Sequence, residues 1–245
     1  MRAQLVSDLH TCFYHGDPWG MLQQLEFVPD LDFLLLPGDI VVPAHQSKDE
    51  IRRIFEFLAS KARHTLYTFG NHEFYGAAKG SEVESRIRDL LPENVHLLDN
   101  SDITLDGVHF YGGTLWFKDS PLNQIYENQL NDFNLIGDIH DWVYEKNTEF
   151  RVNGNAMIRP ETVVLSHHLP SPICVAEQYR GDELNRFFVS DETSLILEKQ
   201  PRIWVFGHTH HRVSMSIGNT ILEANPYGYP QERKFFPYPS IVMEI

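Results

Sequence analysis

Residues able to hold divalent cations fall in five short islands along the chain: Asp8-Leu9-His10, Gly38-Asp39, Gly70-Asn71-His72-Glu73, His167-His168 and Gly207-His208-Thr209-His210. Carboxylate oxygens, an amide carbonyl and imidazole nitrogens form a mixed set that suits first-row transition ions better than Mg or Ca. Two such ions side by side can turn water into a nucleophile and neutralise the charge of a phosphoryl group. The islands therefore read as a two-metal hydrolase site.

Each island has its own logic and its own ordinary alternative. Asp8 and His10 are two apart, which in an extended segment puts both side chains on one face; alone, the pair could equally be a solvated loop. Asp39 follows the apolar residues 33–36 and a Pro-Gly turn, a costly place for an unpaired charge unless it bridges two cations. Its alternative, a cap for the helix that begins at Lys48, is weakened by intervening residues that include Pro43. In the Gly-Asn-His-Glu tetrapeptide, the most specific of the five, Asn71 can offer its carbonyl oxygen to a metal while His72 faces the substrate. Neighbours on an extended chain point oppositely, so His167 is expected to ligate and His168 to be a substrate contact or, more simply, a core or surface histidine. His208 and His210 repeat the spacing of the first island, with Gly207 expected to allow a tight turn. The other histidines, such as His15, His45, His64 and His140, carry no such pattern.

The elements that must position these islands are short apolar runs at 2–6, 33–36, 65–69, 162–165 and 202–206, which read as buried strands, each ending at an island. Helical patterns at 21–28, 48–63 and 82–91 lie between them, and in the second of these Ile51, Ile54, Phe55 and Leu58 recur at 3, 4 and 7 spacing. Strands that alternate with helices imply crossover connections and a parallel sheet, whose strand ends gather distant ligands on one rim. From Val95 the pattern changes to hairpin-linked strands at 95–98, 103–105 and 108–115, with Asp106-Gly107 as a turn. A second set follows at 212–217, 220–223 and 240–245, with Gly218-Asn219 as its turn. Two packed sheets with helices outside are expected. Residues 116–160 are the least regular, with 123–133 helical, and read as an insertion or cap over the site; 170–188 would border it too.

The bulk properties narrow the setting. At 245 residues, with islands spanning 8 to 210, the chain reads as one domain covering 1–245. The composition, 42% hydrophobic and 22% charged, provides for a core rather than disorder. A net charge of −14 disfavours nucleic acid as a partner, although two bound cations would reverse the field at the site itself. Only Cys12 and Cys174 are present, too few for a disulfide framework or a zinc finger. With no signal-peptide pattern before Asp8 and no membrane-length apolar stretch, the expectation is a cytoplasmic protein that does not engage a membrane. Oligomeric state is left open.

In order and content, Asp8-x-His10, Gly38-Asp39, Gly70-Asn71-His72-Glu73, His167 and Gly207-His208-x-His210 closely resemble the calcineurin-like metallophosphoesterase superfamily, over nearly the whole chain. The resemblance implies an α/β fold: a four-layer αββα sandwich of two mixed β-sheets flanked by helices. It implies two divalent transition ions (Mn, Fe, Zn, Ni or Co, with Mn favoured) at the strand ends. Asp8, His10 and His210 would hold one ion, Asn71, His167 and His208 the other, and Asp39 would bridge them. The implied reaction is hydrolysis of a phosphomonoester or phosphodiester, small-molecule or nucleotide, by hydroxide generated between the ions, with His72 as general acid. A Mn-dependent nuclease and a non-catalytic scaffold on the same fold are the alternatives.

Departures from the family pattern also inform. Relatives often carry an acid three residues after the bridging Asp, whereas here that position is Val42, so the hydrogen bond it would give the catalytic histidine is missing or supplied elsewhere. Val41-Val42-Pro43-Ala44 also lacks the arginine that helps serine/threonine protein phosphatases grip phosphate. Lipid A precursor hydrolases carry arginine where His72 stands. The stretches at 179–185 and 224–229 look like those of small bacterial metallophosphoesterases.

Overall fold

The computed structural model describes residues 1–14, 17–232 and 238–245, so His15 lies outside the described residues. The first half of the chain alternates: β1 (Arg2–Leu5), α1 (Pro18–Gln23), β2 (Leu31–Pro37), α2 (Lys48–Ala59), β3 (Ala62–Thr68), α3 (Gly80–Arg88) and β4 (Val95–Leu97). β5 (Ser101–Leu105) and β6 (Val108–Gly113) form a hairpin, and α4 (Asn123–Tyr126), α5 (Asn131–Leu135) and α6 (Ile139–Met157) follow. Then come β7 (Val163–Ser166), α7 (Thr193–Lys199), β8 (Ile203–Phe206), β9 (Val213–Ile217), β10 (Thr220–Ala224) and β11 (Ile241–Glu244).

The strands make two mixed sheets, in the orders β11-β1-β2-β3-β4 and β5-β6-β7-β8-β10-β9. Strand periodicity explains how they stack. Ala3, Leu5, Phe33 and Leu35 of one sheet and Phe110, Val163, Leu165, Ile203 and Val205 of the other share one buried cluster between the sheets. The intervening residues face outward under helices: Leu34 and Leu36 pack with Ile51, Ile54, Phe55 and Leu58 of α2, and Tyr111, Val164 and Trp204 pack with Phe150 of α6 and Ile196 of α7. Strands covered on both faces need apolar side chains at every position, which is why they read as continuous runs. The result is a four-layer αββα sandwich. No helix among the described residues is long and apolar enough to cross a membrane.

Several boundaries differ from the sequence expectation. α1 starts earlier and ends at Gln23, because Asp17 accepts a hydrogen bond from Gly20 N–H at 2.6 Å and Pro18 fixes the first turn. α2 stops at Ala59, since Ala62 already pairs with Leu31 in the sheet. α3 is shifted to Gly80–Arg88. β4 and β11 belong to the first sheet, β4 parallel to β3 and β11 antiparallel to β1, and neither extends the hairpins beside it in sequence. The expected helix at 123–133 is broken into α4, a single turn at Glu127–Gln129, and α5.

The largest difference is α6, a 19-residue helix inside the segment expected to be least regular. Its buried stripe is Ile139, Val143, Asn147, Phe150 and Gly154, so helical spacing is present but two of its members are not apolar. Asn147 is satisfied by donating to Leu115 O at 2.8 Å and Ser190 Oγ at 2.9 Å. At Gly154 a Cβ would sit only 3.2 Å from the Tyr111 ring, so the helix meets the sheet closely there.

Candidate dinuclear metal centre

All five islands emerge at strand ends on one rim of the sandwich. Asp8 and His10 follow β1, Asp39 follows β2, and Asn71 and His72 follow β3 in the first sheet; His167 follows β7, and His208 and His210 follow β8 in the second. The convergence does not come from extended segments, as the two-residue spacing had implied. Asp8, His10, Asp39, His208 and His210 have φ of 53°, 44°, 57°, 64° and 48°, the left-handed region that non-glycine residues rarely adopt. Left-handed kinks aim these side chains inward, a cost that concentrates where function demands geometry. Gly207 serves by its missing side chain, since a Cβ there would lie 2.7 Å from Asp8 Oδ2 and 2.8 Å from Pro37 O.

The donors fall into sets whose ligand atoms lie within 4.8 Å of one another: Asp8 with His10 and His210, and Asp39 with His167 and His208. Asp39 also groups with His10 and His72, which places it between the two sets. Its Oδ2 is 3.6 Å from His10 Nε2 and 3.4 Å from His167 Nε2. His10 Nε2 and His210 Nε2 face each other at 2.9 Å, and His167 Nε2 lies 3.1 Å from His208 Nδ1 and 3.0 Å from Asn71 Oδ1.

These residues fit cations. His167 Nδ1–H donates to Pro37 O at 2.9 Å and His210 Nδ1–H to Glu232 Oε2 at 2.9 Å, which in the neutral rings leaves each Nε2 lone pair turned to the cluster. Asn71 Nδ2 donates to Asp132 Oδ1 at 2.8 Å and to Tyr75 Oη at 3.2 Å, so its carbonyl oxygen faces inward. Asp8 is itself fixed, accepting from Ser7 Oγ–H at 2.5 Å and from His208 N–H at 2.9 Å.

The electrostatics point the same way. Burial favours the neutral form of Asp39, but His167, His72 and His10 outweigh it and hold the carboxyl well below its ordinary range. Burial would lower His167, yet the Asp39 and Asp8 carboxylates raise it to about 9, a positive charge that a cation would replace. Burial pushes His10, His208 and His72 below the ordinary imidazole value.

Four supporting residues escaped sequence reading. Glu73 was visible as part of its tetrapeptide, but its task was not: its buried carboxylate accepts four backbone N–H groups and the Tyr67 hydroxyl. Asp132 and Glu232 orient Asn71 and His210 from distant segments. Tyr229 stacks on His10 at 4.4 Å and its hydroxyl lies 3.1 Å from His72 Nε2. His168 is a core histidine: fully buried, bonded to Thr114 O, with its ring near Trp116 and His208.

A cleft of about 440 Å³ opens over the site. From 116–160 it takes Gln129, Leu130, Asn131 and Asp132, and from 170–188 it takes Val175, Tyr179, Leu184 and Phe188 among others. The longest element of 116–160 is α6, whose Phe150 packs on the outer face of the second sheet.

A model of the calcineurin-like phosphoesterase family matches residues 1–212. The chain is 28% identical to the uncharacterized protein L509 of Acanthamoeba polyphaga mimivirus, over 95% of this chain and 93% of that one. It is 33% identical to a symmetrical bis(5'-nucleosyl)-tetraphosphatase of Salmonella paratyphi A over 53% of this chain, a match that spans only 40% of that relative. Among solved structures, the phosphopantetheinyl hydrolase PptH of Mycobacterium tuberculosis shares the fold with a TM-score of 0.74 at 18% identity, covering 96% of this chain and 93% of that one. The chain belongs to the calcineurin-like phosphoesterase family and is a metal-dependent phosphoric ester hydrolase.

Proposed function

We propose that this chain hydrolyses a small-molecule or nucleotide phosphomonoester or phosphodiester, with His72 as general acid. The observation that carries the reading is the position of Asp39, its Oδ2 within 3.6 Å of His10 Nε2 on one side and 3.4 Å of His167 Nε2 on the other. Asp8, His10 and His210 would hold one ion, Asn71, His167 and His208 a second, and Asp39 both. When bound, the two ions supply an activated water and neutralise the phosphoryl oxygens. Manganese is the favoured metal among Mn, Fe, Zn, Ni and Co.

The chain's own residues do the rest. His72 lines the cleft beside Asp39, held by its backbone N–H to Asp39 Oδ1 at 2.9 Å, where it can deliver a proton to the departing oxygen. Tyr75, Tyr179 and Phe188 offer apolar and aromatic walls to the leaving group. Among the described residues the lining holds no Lys or Arg and does hold Asp132, Asp182 and Glu232, which favours a small substrate over a nucleic-acid backbone. The partial match to a tetraphosphatase supports keeping nucleotides among the candidates. The two free cysteines, Cys12 and Cys174, are compatible with the cytoplasmic setting we favour.

The test is turnover of p-nitrophenyl phosphate, its bis ester and an alkyl phosphate by metal-loaded protein, with and without His72→Ala. Loss on the order of 100-fold is expected on the alkyl ester. Turnover of that ester near the wild-type rate would refute the role given to His72, and full activity with a single bound ion would refute the two-ion site.

A further inference from the structure

His72 needs a partner that fixes its ring, and the position where relatives often place an acid is occupied by Val42, a core residue whose N–H is taken by Gln46 Oε1 at 2.8 Å. His72 Nδ1 is buried and has no hydrogen-bond partner among the described residues. Its ring faces Tyr75 at 4.2 Å and meets His10 edge-on at 4.5 Å, contacts that hold the plane but do not distinguish the two edges of an imidazole. Among the described residues, the polar contact that does so is Tyr229 Oη at 3.1 Å from Nε2.

Tyr229 is well placed for such a task because it is itself immobilised. Its ring stacks on His10 at 4.4 Å with 27° between planes, packs against His210 at 4.7 Å and meets Phe13 edge-on at 5.2 Å. Its backbone N–H donates to Glu232 Oε2 at 2.7 Å, and the preceding Gly228 N–H donates to Asp8 O at 2.9 Å. It reaches His72 across 157 positions of sequence, and both side chains line the cleft. We propose that Tyr229 is the positioning residue of His72, its hydroxyl accepting from Nε2–H and keeping that edge of the ring turned to the cleft until the leaving oxygen replaces it as the proton's acceptor. The inference rests on the assignment of His72 as the group that protonates the leaving oxygen.

Tyr229→Phe keeps the ring on His10 and removes only the hydroxyl. Turnover should be compared on p-nitrophenyl phosphate, whose leaving group needs little protonation, and on an alkyl phosphate, for Tyr229→Phe, His72→Ala and the double variant. The expected result is a loss of kcat on the order of tenfold on the alkyl ester, little change on the aryl ester and unchanged KM and bound metal. The double variant should be no slower than His72→Ala, since Tyr229 acts through that ring. In ¹⁵N-histidine spectra of metal-free protein, where the His72 signals are those absent from His72→Gln, Tyr229→Phe should move the Nε2 resonance. Wild-type alkyl-ester turnover by Tyr229→Phe while His72→Ala is impaired, additive losses in the double variant, or an unmoved Nε2 resonance would each overturn the proposal and leave the His72 assignment standing. An unimpaired His72→Ala would bring down both.

Discussion

Glu73 Oε2 accepts the backbone N–H of Asp39 at 3.0 Å, and through this contact the end of β3 holds the end of β2. The same carboxylate accepts Gly70 N–H at 2.7 Å, Ile40 N–H at 2.7 Å, Val41 N–H at 3.3 Å and Tyr67 O–H at 2.9 Å. Burial first, and the neighbouring Asp39 charge second, push its pKa up to about 7. The turn that carries the central carboxylate of the site is therefore built on one buried acid.

Glu73→Gln should destabilise the protein by about 2–3 kcal/mol, because an amide nitrogen turned toward those N–H donors leaves at least one of them unpaired. Denaturant unfolding of the metal-free proteins measures the difference. A midpoint equal to wild type would show that the clamp carries no weight.

The Asn71 amide is aimed by Asp132 Oδ1, which also accepts the Tyr75 hydroxyl at 2.7 Å. Asp132→Ala should weaken one of two bound ions by about 10–100-fold and spare the other, since only the proposed Asn71 set loses its support. Calorimetric titration of metal-free protein with Mn²⁺ resolves the two steps. Two steps of wild-type affinity would remove Asp132 from the site.

Burial lowers His168 to about 3 from an ordinary 6.5. The unfolded chain thus binds a proton below pH 6.5 while the folded one does not, so this contribution to stability is present above 6.5 and is lost as pH falls toward 3. In metal-free protein, His168→Gln should flatten the loss between pH 6 and pH 4 by up to about 1.4 kcal/mol per pH unit. Parallel stability curves for the two proteins would contradict the buried neutral imidazole.

Much of the candidate site could be read from sequence because the strands that deliver it are buried on both faces, leaving apolar runs that stop abruptly at polar residues. The same physics made β4 and β11 hard to place: their partners, β3 and β1, are set by tertiary pairing such as Leu66 with His96 and Leu5 with Ile241, which no local turn announces. α6 hid because Asn147 and Gly154 interrupt its apolar stripe, and their compatibility depends on Leu115, Ser190 and Tyr111. Glu73 is part of a recognisable island, but its backbone donors Asp39, Ile40 and Val41 reach it only through tertiary contacts. Asp132 meets Asn71 from 61 positions away and Glu232 meets His210 from 22, with nothing in their neighbours to mark them.

The distribution of the strand ends has a consequence for biosynthesis. Asp8, Asp39 and Asn71 leave the ribosome well before His167, His208 and His210, and they sit on a different sheet. A nascent chain that has paired only β1 to β4 carries only part of the proposed ligand set, so stable metal capture would await docking of the second sheet. Ion uptake by the proposed ligands would then be a late event of maturation, and the captured ions would act as a rivet between the two sheets.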